Sequence, residues 1–262
     1  MSGWRNWGFY TAIVCALALS LGLIFAILFS QLGYSGIGQS LNSFLDPGIR
    51  HAILLSLLTA TGSAILALLV GIPAAYGLAR YRFPGSLIVD VLLDLPIVLS
   101  PVAVGLSMLL FFRSGMGQWI ESHLIRFVFE IPGILLSQFI VALALTIRVL
   151  KAVFQNIDER YEQVACFLGC TPWLAFRKVT FPLAGKGIMA VFILAWARSI
   201  GEFGATVTLA GAIPRKTETI PVAIYLRMAR VDISGAVSLM IVLSFISLLV
   251  LLGVRILAGR QR

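Results

Sequence analysis

Long apolar stretches separated by short polar connections dominate the pattern of this chain. Each stretch reaches the ~20 residues that a helix needs to cross a bilayer. The pattern therefore predicts an all-α polytopic membrane protein with six transmembrane helices. The predicted spans are residues 8–32, 53–79, 87–112, 131–150, 183–209 and 233–257.

The polar connections predict where the chain leaves the membrane. We expect loops at residues 33–48 and 113–130, a short basic hinge at 80–84, and a long connection at 151–182. Residues 206–225 are rich in Thr, Gly and Pro, which favours a non-helical connection after the fifth span. This last segment could form an outer gate or a docking site for an external partner, or it could be a solvated loop.

The composition supports a membrane location. The chain is 60% hydrophobic and 12% charged, about half the charged fraction of a soluble domain. Its net charge of +9 is interpreted as loops that face anionic lipid and cytoplasm rather than as a nucleic-acid surface. Three Cys and two His are too few and too scattered for a disulfide framework or a metal site.

The distribution of basic residues predicts the orientation. With the N-terminus inside, twelve of the twenty Lys and Arg fall in cytoplasmic segments and seven outside, and Arg198 falls within a span. This bias places both termini and residues 151–182 in the cytoplasm. The first span is longer than a signal peptide and has no cleavage site after it, so we expect it to be retained.

The long connection between the fourth and fifth spans predicts two short helices that meet at a corner. Residues 161–168 are good helix formers, and Gly169 suits a left-handed stop. Thr171 can cap the second helix, with Pro172 at its first position. Pro182 is predicted to reset the direction of the chain before the fifth span.

The second of these helices predicts a docking surface. It carries Trp173, Phe176 and Val179 on one side, with Arg177 and Lys178 beside them. An amphipathic, basic corner displayed at a membrane surface is expected to contact another protein. The chain has no Gly-x-x-x-x-Gly-Lys-Ser/Thr phosphate loop, so ATP hydrolysis is expected on a separate chain rather than here.

Two acids in the third span, Asp90 and Asp94, precede Pro96 and Pro101. An intramembrane aspartyl protease would need two acids that face each other, normally from separate helices. Acids four residues apart on one helix fit this poorly. They are better explained as partners for basic residues or for backbone groups freed by the prolines, so no enzymatic activity is expected.

The fifth span contains a second charged pair. Arg198 and Glu202 are four residues apart, so an ion pair along the helix is easy. Gly201 and Gly204 permit close helix contact or local unwinding. Arg198 could instead line an anion pathway, and both interpretations stay open at this point.

Three stretches resemble a known family. The run Gln163-Val164-Ala165, Gly169, Val179, Phe181, Pro182 resembles the cytoplasmic coupling loop of ABC-importer permeases, whose pattern is Glu-Ala-Ala, three residues, Gly, nine residues, Ile, one residue, Leu-Pro. Gln163 replaces the acid of that pattern, although Glu162 lies one residue earlier.

Residues 201–225, together with Asp94-Leu95-Pro96, Pro101 and Gly105, are similar to motifs of molybdate and tungstate permeases. Ala212 departs from the Asn common in that group.

The resemblance implies a type I ABC-importer permease of a prokaryotic cell membrane that works by alternating access. Residues 1–48 would form an N-terminal helix and external loop, and residues 49–258 the permease core, with its coupling loop at 151–182. The implied partners are a second copy of the chain, two ATPase subunits that hold ATP and Mg²⁺, an extracytoplasmic oxyanion-binding protein and membrane lipids. Alternatives are a permease for sulfate or another small solute, or an ion-driven secondary transporter or channel that needs no ATPase.

The resemblance also assigns roles to individual residues. Coupling to the ATPase is expected of Glu162, Gln163, Ala165, Gly169, Thr171, Pro172, Trp173, Arg177 and Pro182. The translocation path or gate is expected to involve Asp94, Arg198, Glu202, Gly204, Thr206 and Thr208.

Overall fold

A computed structural model describes residues 3–35, 47–81 and 83–259, and over these ranges the chain folds into helices without any β-strand. Residues 36–46 of the predicted external loop and Arg82 of the predicted basic hinge lie outside the described residues. The helices are α1 Gly3–Ser35, α2 Pro47–Arg80, α3 Ser86–Val98, α4 Pro101–Arg113, α5 Gly115–His123, α6 Ile131–Gln155, α7 Arg160–Phe167, α8 Pro172–Ala175, α9 Phe181–Ile200, α10 Gly204–Leu209, α11 Ile220–Ala229 and α12 Ile233–Gly259.

Five helical segments of the described chain are long and apolar enough to cross a membrane, and α3 with α4 forms a sixth span if the bent pair is counted as one. The predicted all-α fold with six spans is therefore confirmed. Two spans are longer than their apolar cores suggested, because α2 begins at Pro47 and α6 continues to Gln155.

Helix α6 is the centre of the bundle. Just over half of its apolar window is buried, whereas none of the α1 window is. Helices α2, α3, α9 and α10 pack around α6, and α1 packs mainly on α12. The described chain thus has a packed core and one helix, α1, that lies almost entirely exposed.

Small side chains bring the central helices together. Ala60, Ala64 and Ala67 of α2 are fully buried in one cluster with Ala142 of α6 and Ala195 of α9. Small residues let helix backbones approach closely, which is the main source of attraction between helices in an apolar environment. These alanines explain why α2, α6 and α9 form the tightest part of the bundle.

The third span is not the continuous helix that the sequence predicted. It bends by 111° between α3 and α4. Pro101 fixes the start of α4, and the extended backbone of Ser100 lets its hydroxyl accept a hydrogen bond from the Ala103 N–H at 3.3 Å. A proline disfavours helical backbone at the residue before it, which accounts for the break.

The prediction of a fifth span through residue 209 was also wrong at its end. Helix α9 stops at Ile200, and the separate short helix α10 follows at Gly204. The predicted loop at residues 113–130 contains the helix α5, and the predicted non-helical segment 206–225 is helical at both ends. These short helices are stabilised by apolar side chains that pack against neighbouring helices. Such contacts are distant in sequence, so the local sequence does not predict the helices.

Pro182 does not reset the direction of the chain. Helix α8, a π-helical turn at Phe176–Thr180 and α9 form one continuous segment, Pro172–Ile200. In the π turn the Phe181 N–H donates to the Phe176 carbonyl five residues earlier. Pro182 has no N–H, so it cannot donate the α-helical hydrogen bond to the carbonyl four residues earlier. The wider π turn accommodates this missing bond.

Helix α4 crosses α10 closely enough that Gly105 has no room for a side chain. A Cβ atom at Gly105 would lie 2.8 Å from the Cα and carbonyl oxygen of Ala205. Gly204 is similarly close to Pro101 and Val102. The two glycine-containing motifs of the third and fifth spans therefore meet in space.

We expect Gly105→Ala to lower the free energy of unfolding by about 1–3 kcal/mol, because the added methyl group must displace backbone. Gly185→Ala is the matched control, since Gly185 is also helical and its Cβ would meet nothing within 4 Å. That change should be neutral or stabilising by up to about 1 kcal/mol. Thermal unfolding in detergent measures both, and equal melting temperatures for the two variants would contradict the close crossing.

Candidate functional site: the corner between α6 and α9

The predicted two-helix corner is present. Helix α7 ends before Gly169, which adopts a left-handed backbone with φ of +91°. The Thr171 hydroxyl then accepts a hydrogen bond from the Leu174 N–H at 3.3 Å, and Pro172 occupies the first position of α8. The local signals for the turn and the cap were therefore sufficient to predict this part of the chain.

The Glu162 carboxylate joins the corner to two spanning helices. It accepts hydrogen bonds from the Tyr76 hydroxyl at 2.7 Å and the Arg80 Nε–H at 3.0 Å, both on α2. It also accepts one from the Thr180 hydroxyl at 2.6 Å, just before α9. We call Tyr76, Arg80, Glu162 and Thr180 the brace.

Further contacts extend the brace to the end of α6. Arg80 donates from Nη2 to the Ile157 carbonyl at 2.9 Å, and its Nη1 lies 3.6 Å from the exposed Glu159. The Tyr76 ring packs against Phe176 and Phe154, with centroids 4.6 and 5.7 Å away. The corner is thus held to α2, α6 and α9 by charge, hydrogen bonds and aromatic packing together.

The surroundings of Glu162 favour its charged form. Burial alone raises the pKa of its carboxyl, but hydrogen bonds from Thr180 and Tyr76 and the nearby Arg80 guanidinium outweigh burial. The pKa therefore lies below its ordinary value of 4.5. A carboxyl whose pKa is lowered by folding stabilises the fold above the unfolded pKa and loses that contribution as the pH falls.

The outer side of the corner presents apolar side chains to solvent. Phe167, Leu168 and Trp173 are 88%, 82% and 68% exposed, and Tyr161 and Val164 are also exposed. We call these five residues the corner surface. Large apolar side chains grouped on the outside of a compact turn typically mark a protein contact.

The residues predicted to couple to an ATPase divide into two groups. Seven are exposed, as docking requires: Gln163, Gly169, Thr171, Pro172, Trp173, Arg177 and Pro182. Ala165 is half-buried, and Glu162 is turned inward as part of the brace. Sequence reasoning missed Phe167 and Leu168. The available signal was the pair of large apolar residues directly before Gly169. The chain turns at this glycine, so no helix continues there to bury their side chains.

The two acids of α3 pair with basic residues of α6. Asp94 Oδ2 lies 3.1 Å from Arg148 Nη1, and Asp90 Oδ2 lies 2.6 Å from Lys151 Nζ. Each carboxylate faces a cation rather than the other carboxylate. This arrangement agrees with the interpretation as partners for basic residues and does not provide the facing acids of an aspartyl protease.

The charged pair of the fifth span is present, and its carboxylate is buried. Arg198 Nη1 lies 2.6 Å from Glu202 Oε2, and Glu202 Oε1 accepts a hydrogen bond from the Ala205 N–H at 2.9 Å. The Glu202 side chain is 1% exposed and Thr206 is fully buried. The Glu202 carboxylate therefore fastens the break between α9 and α10, and Gly204 and Thr206 are buried beside it.

The remaining residues assigned to the path reach the surface to different degrees. Arg198 and Asp94 are partly exposed, and Thr208 is half-buried with its hydroxyl donating to the Gly204 carbonyl at 2.7 Å. At the other end of the bundle, the segment 206–225 that was predicted to be non-helical folds back on the chain. There Lys216 forms an ion pair with Glu130.

We expect Glu162→Gln to lower the free energy of unfolding by about 1–3 kcal/mol, because a charged acceptor that is turned inward is lost. Glu159→Gln is the matched control, since the exposed pair it forms with the same Arg80 contributes at most about 1 kcal/mol. Melting temperatures measured against pH check both. The deficit of Glu162→Gln should persist above pH 4.5 and shrink below it, and a deficit independent of pH would contradict a charged Glu162.

Comparison with known proteins places these features in a family. Residues 67–262 match the family described as "Binding-protein-dependent transport system inner membrane component". The chain is 39% identical over 212 residues to the molybdenum transport system permease protein ModB of Mycobacterium bovis, covering 79% of each chain. It is 33% identical over 228 residues to the sulfate transport system permease protein CysW of Escherichia coli, covering 84% of this chain and 78% of CysW.

A solved structure agrees in fold. A bacterial ABC transporter that imports the acidic polysaccharide alginate superposes with a TM-score of 0.75 at 18% sequence identity, covering 98% of this chain and 96% of the other. The described helices thus have the fold of type I ABC-importer permeases. On the family match and these relatives, the chain belongs to the inner membrane components of binding-protein-dependent transport systems.

Proposed function

We propose that this chain is the transmembrane permease subunit of an ATP-driven importer for a small oxyanion, with molybdate or tungstate as its cargo. One observation carries the proposal: the corner surface projects from a turn that the brace ties to the spanning helices. The cargo is supported by the molybdenum permease, the more similar of the two relatives. The sulfate permease makes sulfate the second candidate.

The assembly we propose has two copies of this chain and two ATPase subunits beneath them. ATP and Mg²⁺ are held by the ATPases, since the sequence has no phosphate loop. An extracytoplasmic binding protein delivers the oxyanion, in keeping with the description of the family. The distribution of Lys and Arg supports a corner, and both chain termini, in the cytoplasm of a prokaryotic cell.

The brace supports a mechanism of alternating access. When the ATPases close, they displace the corner surface, and the Glu162 contacts carry that displacement to α2 and α9. Aromatic packing around Tyr76 carries it to the end of α6. Closely packed elements move as rigid units rather than deform, so the spans tilt with the corner.

Purification of the tagged chain from its own membrane should bring down an ATPase subunit in equal amount. The purified complex in liposomes, supplied with ATP and the binding protein, should take up radiolabelled molybdate. Excess unlabelled sulfate should compete poorly if molybdate is the cargo and well if sulfate is. Uptake by liposomes that contain this chain alone would overturn the ATP-driven mechanism in favour of a secondary transporter.

Gly169→Val should leave ATP hydrolysis by the complex intact and reduce uptake by about tenfold or more. The left-handed backbone costs a β-branched residue about 1–2 kcal/mol, so the corner must shift. Uptake and ATP hydrolysis measured on one preparation check this.

Gly85→Val is the matched control, because Gly85 has nearly the same φ of +90° and equally open surroundings. It lies in a different turn, before α3. It should cost similar stability without uncoupling. Normal coupled uptake in Gly169→Val would contradict the role of the corner.

A further inference from the structure

Helix α6 has one exposed residue over most of its length. From residue 132 to residue 151 every residue is buried or half-buried except Arg148. The Arg148 side chain is 62% exposed. Arg148 is therefore the one exposed residue of this stretch, and it is a cation.

The partner of Arg148 is exposed as well. Asp94 of α3, 3.1 Å away, has a side chain that is 39% exposed. Both residues lie within apolar helices, about two turns from the ends nearest the corner. Charged side chains in a spanning segment face protein or water rather than lipid. An exposed ion pair here indicates water or a second protein on that side of the chain.

The backbone of α3 gives a second, independent indication. Val98 is 80% exposed at the bend between α3 and α4, and Leu99 and Ser100 are exposed beside it. Pro96 and Pro101 have no N–H to offer the carbonyl groups four residues earlier. Irregular backbone inside a membrane is tolerated where it is covered by protein or lines a water-filled cavity. The bend and the ion pair lie on the same helix, little more than one turn apart.

We propose that Arg148 faces the water-filled passage and provides a transient binding site for the moving oxyanion, with Asp94 as its counter-ion when no anion is bound. This proposal rests on the proposed function. A planar guanidinium offers parallel N–H donors that match two oxygens of a tetrahedral oxyanion. Competition from Asp94 keeps the affinity low, and a site in a passage must release its ion readily.

The neighbouring pair offers a matched contrast. Asp90 and Lys151 lie one turn nearer the corner on the same two helices, and the Lys151 side chain is only 24% exposed. Its ammonium group lacks the fork of donors. We assign this pair to fastening α3 against α6.

Chemical labelling tests the placement of Arg148. In a variant with Cys15, Cys166 and Cys170 replaced by Ser, the reaction rates of Asp94→Cys with the anionic thiosulfonate reagent MTSES and the cationic reagent MTSET are each divided by the rate with a free thiol. The resulting ratio should be several-fold higher for MTSES, because Arg148 attracts the anion. The preference should vanish in Asp94→Cys with Arg148→Gln. Millimolar molybdate or sulfate should slow MTSES only while Arg148 is present. A cysteine at 94 that neither reagent reaches, or that shows no anion preference, would overturn the proposal.

Uptake by the complex tests the role in transport. Arg148→Gln should reduce oxyanion uptake by about tenfold, and Arg148→Lys by less, because the charge is kept and the fork is lost. Asp94→Asn with Arg148→Gln should stay impaired. In contrast, Asp90→Asn with Lys151→Gln should transport normally, since removing both partners leaves no unpaired charge.

Full recovery in the double variant at 94 and 148 would show that this pair is also only a fastener, and the proposal would fall. The preference of the labelling reaction for the anionic reagent is measured without ATP and without any oxyanion. If the complex transports no oxyanion, the proposed function fails in the wild-type chain. If wild-type uptake is normal and the Arg148 variants match it, only the further inference fails.

Discussion

A single carboxylate, turned inward, holds together the segments on which this structure depends. Glu162 belongs to an eight-residue helix that has no fully buried residue of its own, and such a helix is too short to be stable without tertiary contacts. Its contacts with Tyr76, Arg80 and Thr180 fix the turn against the ends of two long helices. The apolar residues on the far side of the turn can stay exposed because packing does not require them. Stability and the capacity to dock are thus provided by opposite faces of one short segment.

The membrane imposes a different constraint on the rest of the chain. Charges and irregular backbone are costly in hydrocarbon, so their positions carry information about what surrounds the chain. Arg198 and Glu202 satisfy the constraint within the chain, where the carboxylate also caps the start of α10. Asp94 and Arg148 satisfy each other only in part, since both remain exposed. By this rule, the pair Arg198–Glu202 stabilises the fold. The pair Asp94–Arg148 is instead proposed to contact water.

Local sequence signals predicted the elements whose cause is local. The left-handed Gly169, the Thr171 cap and the long apolar helices all depend on nearby residues, and they were predictable. The bend after Val98 was not predicted, although Pro96 and Pro101 were visible, because prolines are also tolerated within spanning helices. The inward direction of Glu162 depends on Tyr76 and Arg80, more than eighty residues away. The exposure of Arg148 on α6 depends on how several helices pack, so the sequence alone could not predict it.

The π turn at Phe176–Thr180 has a consequence for how this family could diversify. A π turn contains one more residue than the α-helical turn it replaces, and successive residues of an α-helix are rotated by about 100° around its axis. Loss of that one residue would close the helix into a regular ladder and turn α9 about its axis, carrying Trp196 out of the core it shares with α2. The length of this short stretch, rather than any single side chain in it, sets which face of the fifth span is turned inward, so insertions and deletions should be tolerated far less here than in the outer loops.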